Sequence, residues 1–179
     1  MIFSKPLYYV LNLRDHHLNK KKILSMISHK GECVDNGYGV ISKTDWNNQR
    51  RENFNWYSFS LSKRDSISYS KFLYNKFKKS DARIEQLWFN QYDPNSGSNH
   101  ILHTHYSELD QNDLTNIYYV ELEDKSLRTI LKHPKTGKEI IPRVKEGQIL
   151  VFDARIQHMS PPNFSKSRKT VISFNVKFL

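Results

Sequence analysis

The sequence predicts a mainly-β fold, a jelly roll or double-stranded β-helix, supported by two N-terminal helices. Three observations predict it. After Asp81 the chain is a succession of eight short β-prone runs divided by turn signals, the pattern of a sandwich or barrel. Before Ser80, two stretches carry apolar residues at helical spacing instead. The chain has 179 residues, 37% hydrophobic and 13% aromatic, which is one domain's length with enough anchors to fill a core. The reading is a single domain over 1–179, with 1–80 as mixed helical support and 81–179 as the jelly-roll core.

Residues 7–13 are apolar and β-prone, a first strand. Residues 18–29 read as a helix that puts Ile23, Met26 and Ile27 on one face, with Lys20, Lys21 and Lys22 at its start and Gly31 as its stop signal. Residues 38–55, rich in Gly, Asn, Asp and Arg, read as loop with short strand pieces. Residues 65–79 read as a second helix, because Tyr69, Phe72, Leu73 and Phe77 make a core-facing stripe. The eight later strands are expected at 84–92, 99–106, 115–122, 127–131, 138–143, 148–152, 155–159 and 169–178. Between them stand Pro94 to Gly97, Lys135 to Gly137, Glu146-Gly147 and Pro161 to Asn163, all turn formers.

Composition also bounds function. The one cysteine, Cys33, excludes an internal disulfide and fits a reducing compartment. No run of eighteen apolar residues is present, and residues 1–10 lack the features of a signal peptide, so the expectation is a cytoplasmic protein with no membrane partner. The net charge of +10 raises nucleic acid as a partner. Yet residues 1–80 hold 15 Lys/Arg against 6 Asp/Glu, and residues 81–179 hold 13 against 12. The excess therefore belongs to the helical part, and support for a nucleic-acid active site is weak.

Chemistry concentrates around the histidines. His103 and His105 are two apart, so on a strand they face one cavity. Two imidazoles on one face, a third from a distant strand and an open position form the architecture of a catalytic metal site. His158 is the natural third ligand. Arg168, ten residues later at the start of the last strand, is placed to clamp a carboxylate. Asn90 and Asn175 are candidates to line the site. His100 breaks the two-residue register with His103 and is expected outside it. Glu108 and Asp110 read as solvated loop carboxylates. Neutral imidazole is the ligating form, so metal affinity is expected to fall as pH drops through about 6.5.

With these residues in place, the segment from Trp88 to Leu179 resembles the Fe(II)/2-oxoglutarate-dependent oxygenase superfamily, and most of all its prolyl-hydroxylase-like branch. The motif there is His-x-Asp/Glu, a distal His, and a basic residue about ten positions on; here stand His103-Thr104-His105, His158 and Arg168. Gln91 to Pro94 with Gly97, Ile117 to Val120, Gly147 to Phe152 and Ser173 to Asn175 fall in the matching order. The resemblance implies Fe(II) on the three histidines, 2-oxoglutarate on Arg168 with Tyr92 and Tyr119 beside it, and O2 as co-substrate in a hydroxylase-type reaction. One departure stands out: His105 fills the carboxylate position. Three neutral ligands leave the metal its full charge, and such sites also suit zinc. Two other functions therefore stay open, a three-His zinc or divalent-metal hydrolase and a non-catalytic jelly-roll binding module with a basic, nucleic-acid-facing surface.

Overall fold

The computed structural model describes residues 6–28, 32–35, 39–46 and 61–179. The elements run β1 (Tyr8–Asn12), α1 (His16–Ser28), β2 (Glu32–Asp35), β3 (Val40–Thr44), α2 (Lys63–Phe77), β4 (Ala82–Tyr92), β5 (His100–His103), β6 (Leu114–Leu122), a 3-10 turn (Lys125–Leu127), β7 (Ile130–Lys132), β8 (Glu139–Ile140), β9 (Gln148–Asp153), β10 (His158–Ser160) and β11 (Lys169–Phe178). They form a seven-stranded sheet in the order β1-β9-β6-β11-β4-β3-β2 and a four-stranded sheet in the order β5-β10-β7-β8. The paired strands are antiparallel throughout. This is the expected mainly-β jelly roll with two helices.

The central strands of the large sheet, β9, β6 and β11, are buried on both faces. In β9, Ile149 and Val151 pack toward the helices while Leu150 and Phe152 pack toward the small sheet. In β6, Tyr118 and Val120 take the helix side and Ile117 and Tyr119 the other. Ile23 and Ile27 of α1 and Leu73 of α2 are buried on the helix side, with Met26, Tyr69, Phe72 and Phe77 packed beside them, so both predicted stripes face the core. Burial of such side chains contributes about 1.5–3 kcal/mol each.

Helix α2 starts where Ser62 accepts a hydrogen bond from the Asp65 N–H, and ends at Lys78 in the left-handed conformation (φ 59°). Asp65 is fully buried and accepts from the backbone N–H groups of Arg14 (2.8 Å) and Asp15 (3.2 Å) and from Asn19 Nδ2 (2.9 Å), tying α2 to the start of α1. His16 joins the Tyr118 hydroxyl (2.7 Å) and Glu146 (3.2 Å), and Lys20 also reaches Glu146 (2.7 Å). One of the lysines at the start of α1 is thus engaged by an acidic partner from the barrel.

Several boundaries differ from expectation. The predicted strand 99–106 ends at His103, the predicted strand 155–159 is only His158–Ser160, and residues 125–127 form a 3-10 turn. The predicted loop 38–55 contains β3, while Gly31, Tyr38 and residues 47–55 lie outside the described residues. No helix among the described residues is long and apolar enough to cross a membrane.

Candidate metal centre

The antiparallel pair β5–β10 builds the centre. His158 stands opposite His103, and Ser160 stands opposite His100. Two residues separate the first pair on β5 and one separates it on β10, so β5 carries a bulge. The extra residue cancels the register break, and His100 and His103 come to lie on the same side with ring centroids 4.0 Å apart. His105 lies beyond the strand end, where its N–H donates to Ala154 O (3.1 Å) and its carbonyl accepts from Asn112 Nδ2 (2.9 Å). A held turn, and not strand alternation, brings it in.

The ligand atoms of His103, His105 and His158 all lie within 4.8 Å of one another. The Nδ1 atoms of His103 and His158 face the carbonyl oxygens of Ile101 (2.7 Å) and Ile156 (3.1 Å). A carbonyl only accepts, so both Nδ1 atoms donate and the neutral rings carry their lone pairs on Nε2. His103 Nε2 is buried with no hydrogen-bond partner. Trp88 and Trp46 flank the His105 ring at 5.2 and 6.4 Å, and Phe152 lies 4.9 Å from His158. Burial holds the His105 and His158 imidazoles well below the ordinary histidine range, lowers His103, and takes His100 down to about 3. All four rings are thus neutral at pH 7. An orphaned buried nitrogen among neutral, pre-oriented imidazoles fits a divalent metal ion.

The pocket around the histidines also contains Asn90, Tyr92, Thr129, Ser160 and Lys169. As the side chains stand its free volume is about 20 Å³, room for an ion, and a larger ligand enters by displacing them. Lys169 is fully buried, donates from Nζ to Ser160 Oγ (2.8 Å), and sits over the rings of Tyr92 (5.0 Å) and Tyr119 (6.0 Å). Burial without a carboxylate partner lowers its amine to about 7. No carboxylate lines this pocket among the described residues.

The expectation for Arg168 is corrected here. Its side chain is 41% exposed and forks onto Glu121 through Nε (2.9 Å) and Nη2 (3.0 Å) on the outside of the sheet. Strand alternation is the reason: Lys169, Val171 and Ser173 line the pocket, which leaves Arg168 on the opposite face. Tyr92 lines the pocket as expected, and Asn90 does too, bonded to Thr44 Oγ1 (2.7 Å). Tyr119 reaches it only through Lys169, its own hydroxyl being spent on Thr129 Oγ1 (2.7 Å). Asn175 does not reach it and is bonded to Thr115 (3.1 Å) and Gln86 (2.6 Å). Glu108 and Asp110 are exposed, and neither lines the pocket. Sequence reasoning missed Lys169 and His100. The parity of Val171 and Ser173 points to Lys169, but both faces of β11 are buried, so parity alone did not say which face holds the site.

No protein-family model matches the sequence, and no curated protein does. Solved structures do match. The viral collagen prolyl hydroxylase from Paramecium bursaria Chlorella virus-1, in its 2OG complex, aligns over 100% of both chains at 13% identity with a TM-score of 0.66. The prolyl hydroxylase from Trichoplax adhaerens, in complex with a hypoxia inducible factor peptide fragment, aligns over 94% of this chain and 83% of its own at 15% identity and a TM-score of 0.66. The non-heme alpha-ketoglutarate-dependent epimerase SnoN from nogalamycin biosynthesis covers 97% of this chain and 78% of its own at 10% identity and a TM-score of 0.72. The likeness is one of fold. It reaches 2-oxoglutarate oxygenase structures broadly and singles out no prolyl-hydroxylase branch, since the epimerase superposes at least as well.

Proposed function

We propose that the protein is a divalent-metal enzyme of the 2-oxoglutarate-dependent oxygenase type, with His103, His105 and His158 holding Fe(II) and Lys169 receiving the far carboxylate of 2-oxoglutarate. The single observation that carries this reading is the buried cation in the pocket of the three histidines. A buried ammonium without a counter-charge is costly, so Lys169 is an invitation to an anion. The structures that share this fold include one with 2OG bound and one named as alpha-ketoglutarate dependent, which supports the same ligand class.

Within this reading the chain's residues do four things. The Nδ1 donors of His103 and His158 fix their rings with Nε2 inward. Lys169 exchanges Ser160 for the ligand carboxylate and so sets the ligand's orientation. Tyr92, whose phenol burial keeps protonated, remains a neutral hydrogen-bonding group beside it. Trp88, Phe152 and Ile117 exclude water from the metal side. Iron bound there would supply the redox chemistry that no side chain can.

A second reading rests on a specific observation. The donor set is three neutral nitrogens with no carboxylate, and the free space is about 20 Å³. That combination suits zinc and a metal-activated water, a hydrolytic centre. Metal-dependent succinate release separates the two. Succinate formed from 2-oxoglutarate by the Fe(II) protein, and lost in Lys169→Met, supports the oxygenase. Zinc-dependent ester hydrolysis that survives Lys169→Met, with no succinate under any condition, supports the hydrolase.

A further inference from the structure

A cavity larger than the histidine pocket is present. It lies on the other face of the large sheet, beneath α2, and has a volume of about 270 Å³. Its floor is Leu73, Leu87, Ile149, Ile172, Phe174 and Val176, all buried. Two phenols contribute rings and withhold their hydroxyls. Tyr69 donates its O–H to Asn116 Oδ1 (2.9 Å), and the Tyr118 hydroxyl is engaged by His16 Nδ1 (2.7 Å). The deep wall therefore presents carbon, and a space this large with a carbon wall favours an apolar guest over water.

The mouth differs. Ser66, Ser70, Ser80 and Arg83 rim it. The Arg83 guanidinium is already taken by Glu85 (2.9 and 2.7 Å), and Ser80 donates to Asp81 (3.1 Å). Among the described residues no uncompensated charge is offered there, only hydroxyls with acceptor capacity. We propose that this cavity is a second binding site, for a small aliphatic molecule carrying an uncharged polar head such as an alcohol. The volume falls just under the about 300 Å³ at which ligand pockets begin. The site shares no lining residue with the histidine pocket, because β4 and β11 serve the two in alternation: Leu87 and Trp88, Ile172 and Val171, Phe174 and Ser173.

The test uses the whole chain and 1-aminoanthracene as fluorescent probe, with 1-decanol and decanoate as competitors. The expected result is saturable one-to-one binding of the probe, displaced by decanol and no more tightly by decanoate. Saturating Zn(II) should leave it unchanged. Ser70→Trp and Ala82→Trp replace rim or wall residues on the exposed side, where folding tolerates bulk, and each should weaken probe and decanol binding at least tenfold. Circular dichroism checks that both variants fold. Absence of saturable binding overturns the proposal. So does binding unchanged in both variants, displacement by Zn(II), or tenfold preference for decanoate.

Discussion

At the residue scale the account turns on one position. Arg168 and Lys169 are neighbours in sequence, and strand alternation sends only Lys169 into the pocket. Lys169→Met should weaken 2-oxoglutarate binding about 10–150-fold, the worth of a charge-assisted hydrogen bond of about 1.5–3 kcal/mol, whereas Arg168→Ala should leave it within about twofold. Calorimetric titration of the metal-loaded protein reads both. Because the Lys169 amine lies near 7 in the free protein, affinity for the acid should fall as pH rises above 7, where the amine is neutral. The pH expectation for the metal also changes. Burial keeps the three ligating imidazoles neutral below 6.5, so metal affinity should hold as pH falls through 6.5 and drop only at lower pH. A Zn(II) titration series from pH 8 to pH 4.5 checks this, and a tenfold loss per unit beginning at 6.5 would contradict it. The histidine triad was legible from spacing and residue type. That Lys169 rather than Arg168 lines the pocket was not legible, because both faces of β11 are buried and its apolar pattern does not mark the inside.

At the element scale, the site depends on irregularities that periodicity does not register. The bulge in β5 brings His100 to the pocket, and the turn held by Ala154 and Asn112 delivers His105 after the strand has ended. Both helices were legible, because an apolar stripe at helical spacing has few other uses in a domain of this size. Their mutual attachment was not, since it rests on long-range polar contacts: Asp65 with Arg14, Asp15 and Asn19, Ser62 with Asn19, and Arg64 with Asp15. Asp65→Ala removes the acceptor for two backbone N–H groups and one amide in a buried place. The expected loss is about 3 kcal/mol, from about 1–3 kcal/mol per unsatisfied buried group with partial rescue by water. Urea unfolding should show it as a lower midpoint with an unchanged slope, and Asp65→Asn should recover part of it.

At the scale of the whole molecule, two sheets and two helices make two distinct interiors, one chemical and one apolar, separated by the large sheet. The basic excess of the sequence lies in residues 1–80, and the histidines of the metal centre come from the later part of the chain. A metal that binds only the folded chain raises its stability, by about 2.7 kcal/mol when free metal is 100 times Kd. Metal-free protein should be acid-sensitive. Below pH 6.5 the unfolded chain protonates histidines that the native state keeps neutral, so stability is full above 6.5 and falls as pH drops toward the native values. For a residue as buried as His158 the loss is about 1.4 kcal/mol per pH unit. Thermal melts with and without Zn(II) at pH 7.5 and pH 5.5 read both effects. The central claim, a three-histidine metal centre completed by Lys169, is tested most directly by anaerobic titration of the Fe(II)-loaded protein with 2-oxoglutarate, followed by its metal-to-ligand charge-transfer absorption. The expected result is a saturable band in the unaltered protein and in Arg168→Ala, and in Lys169→Met one that needs about 10–150-fold more 2-oxoglutarate to form. No band in the unaltered protein, or a band abolished by Arg168→Ala and retained by Lys169→Met, would contradict it.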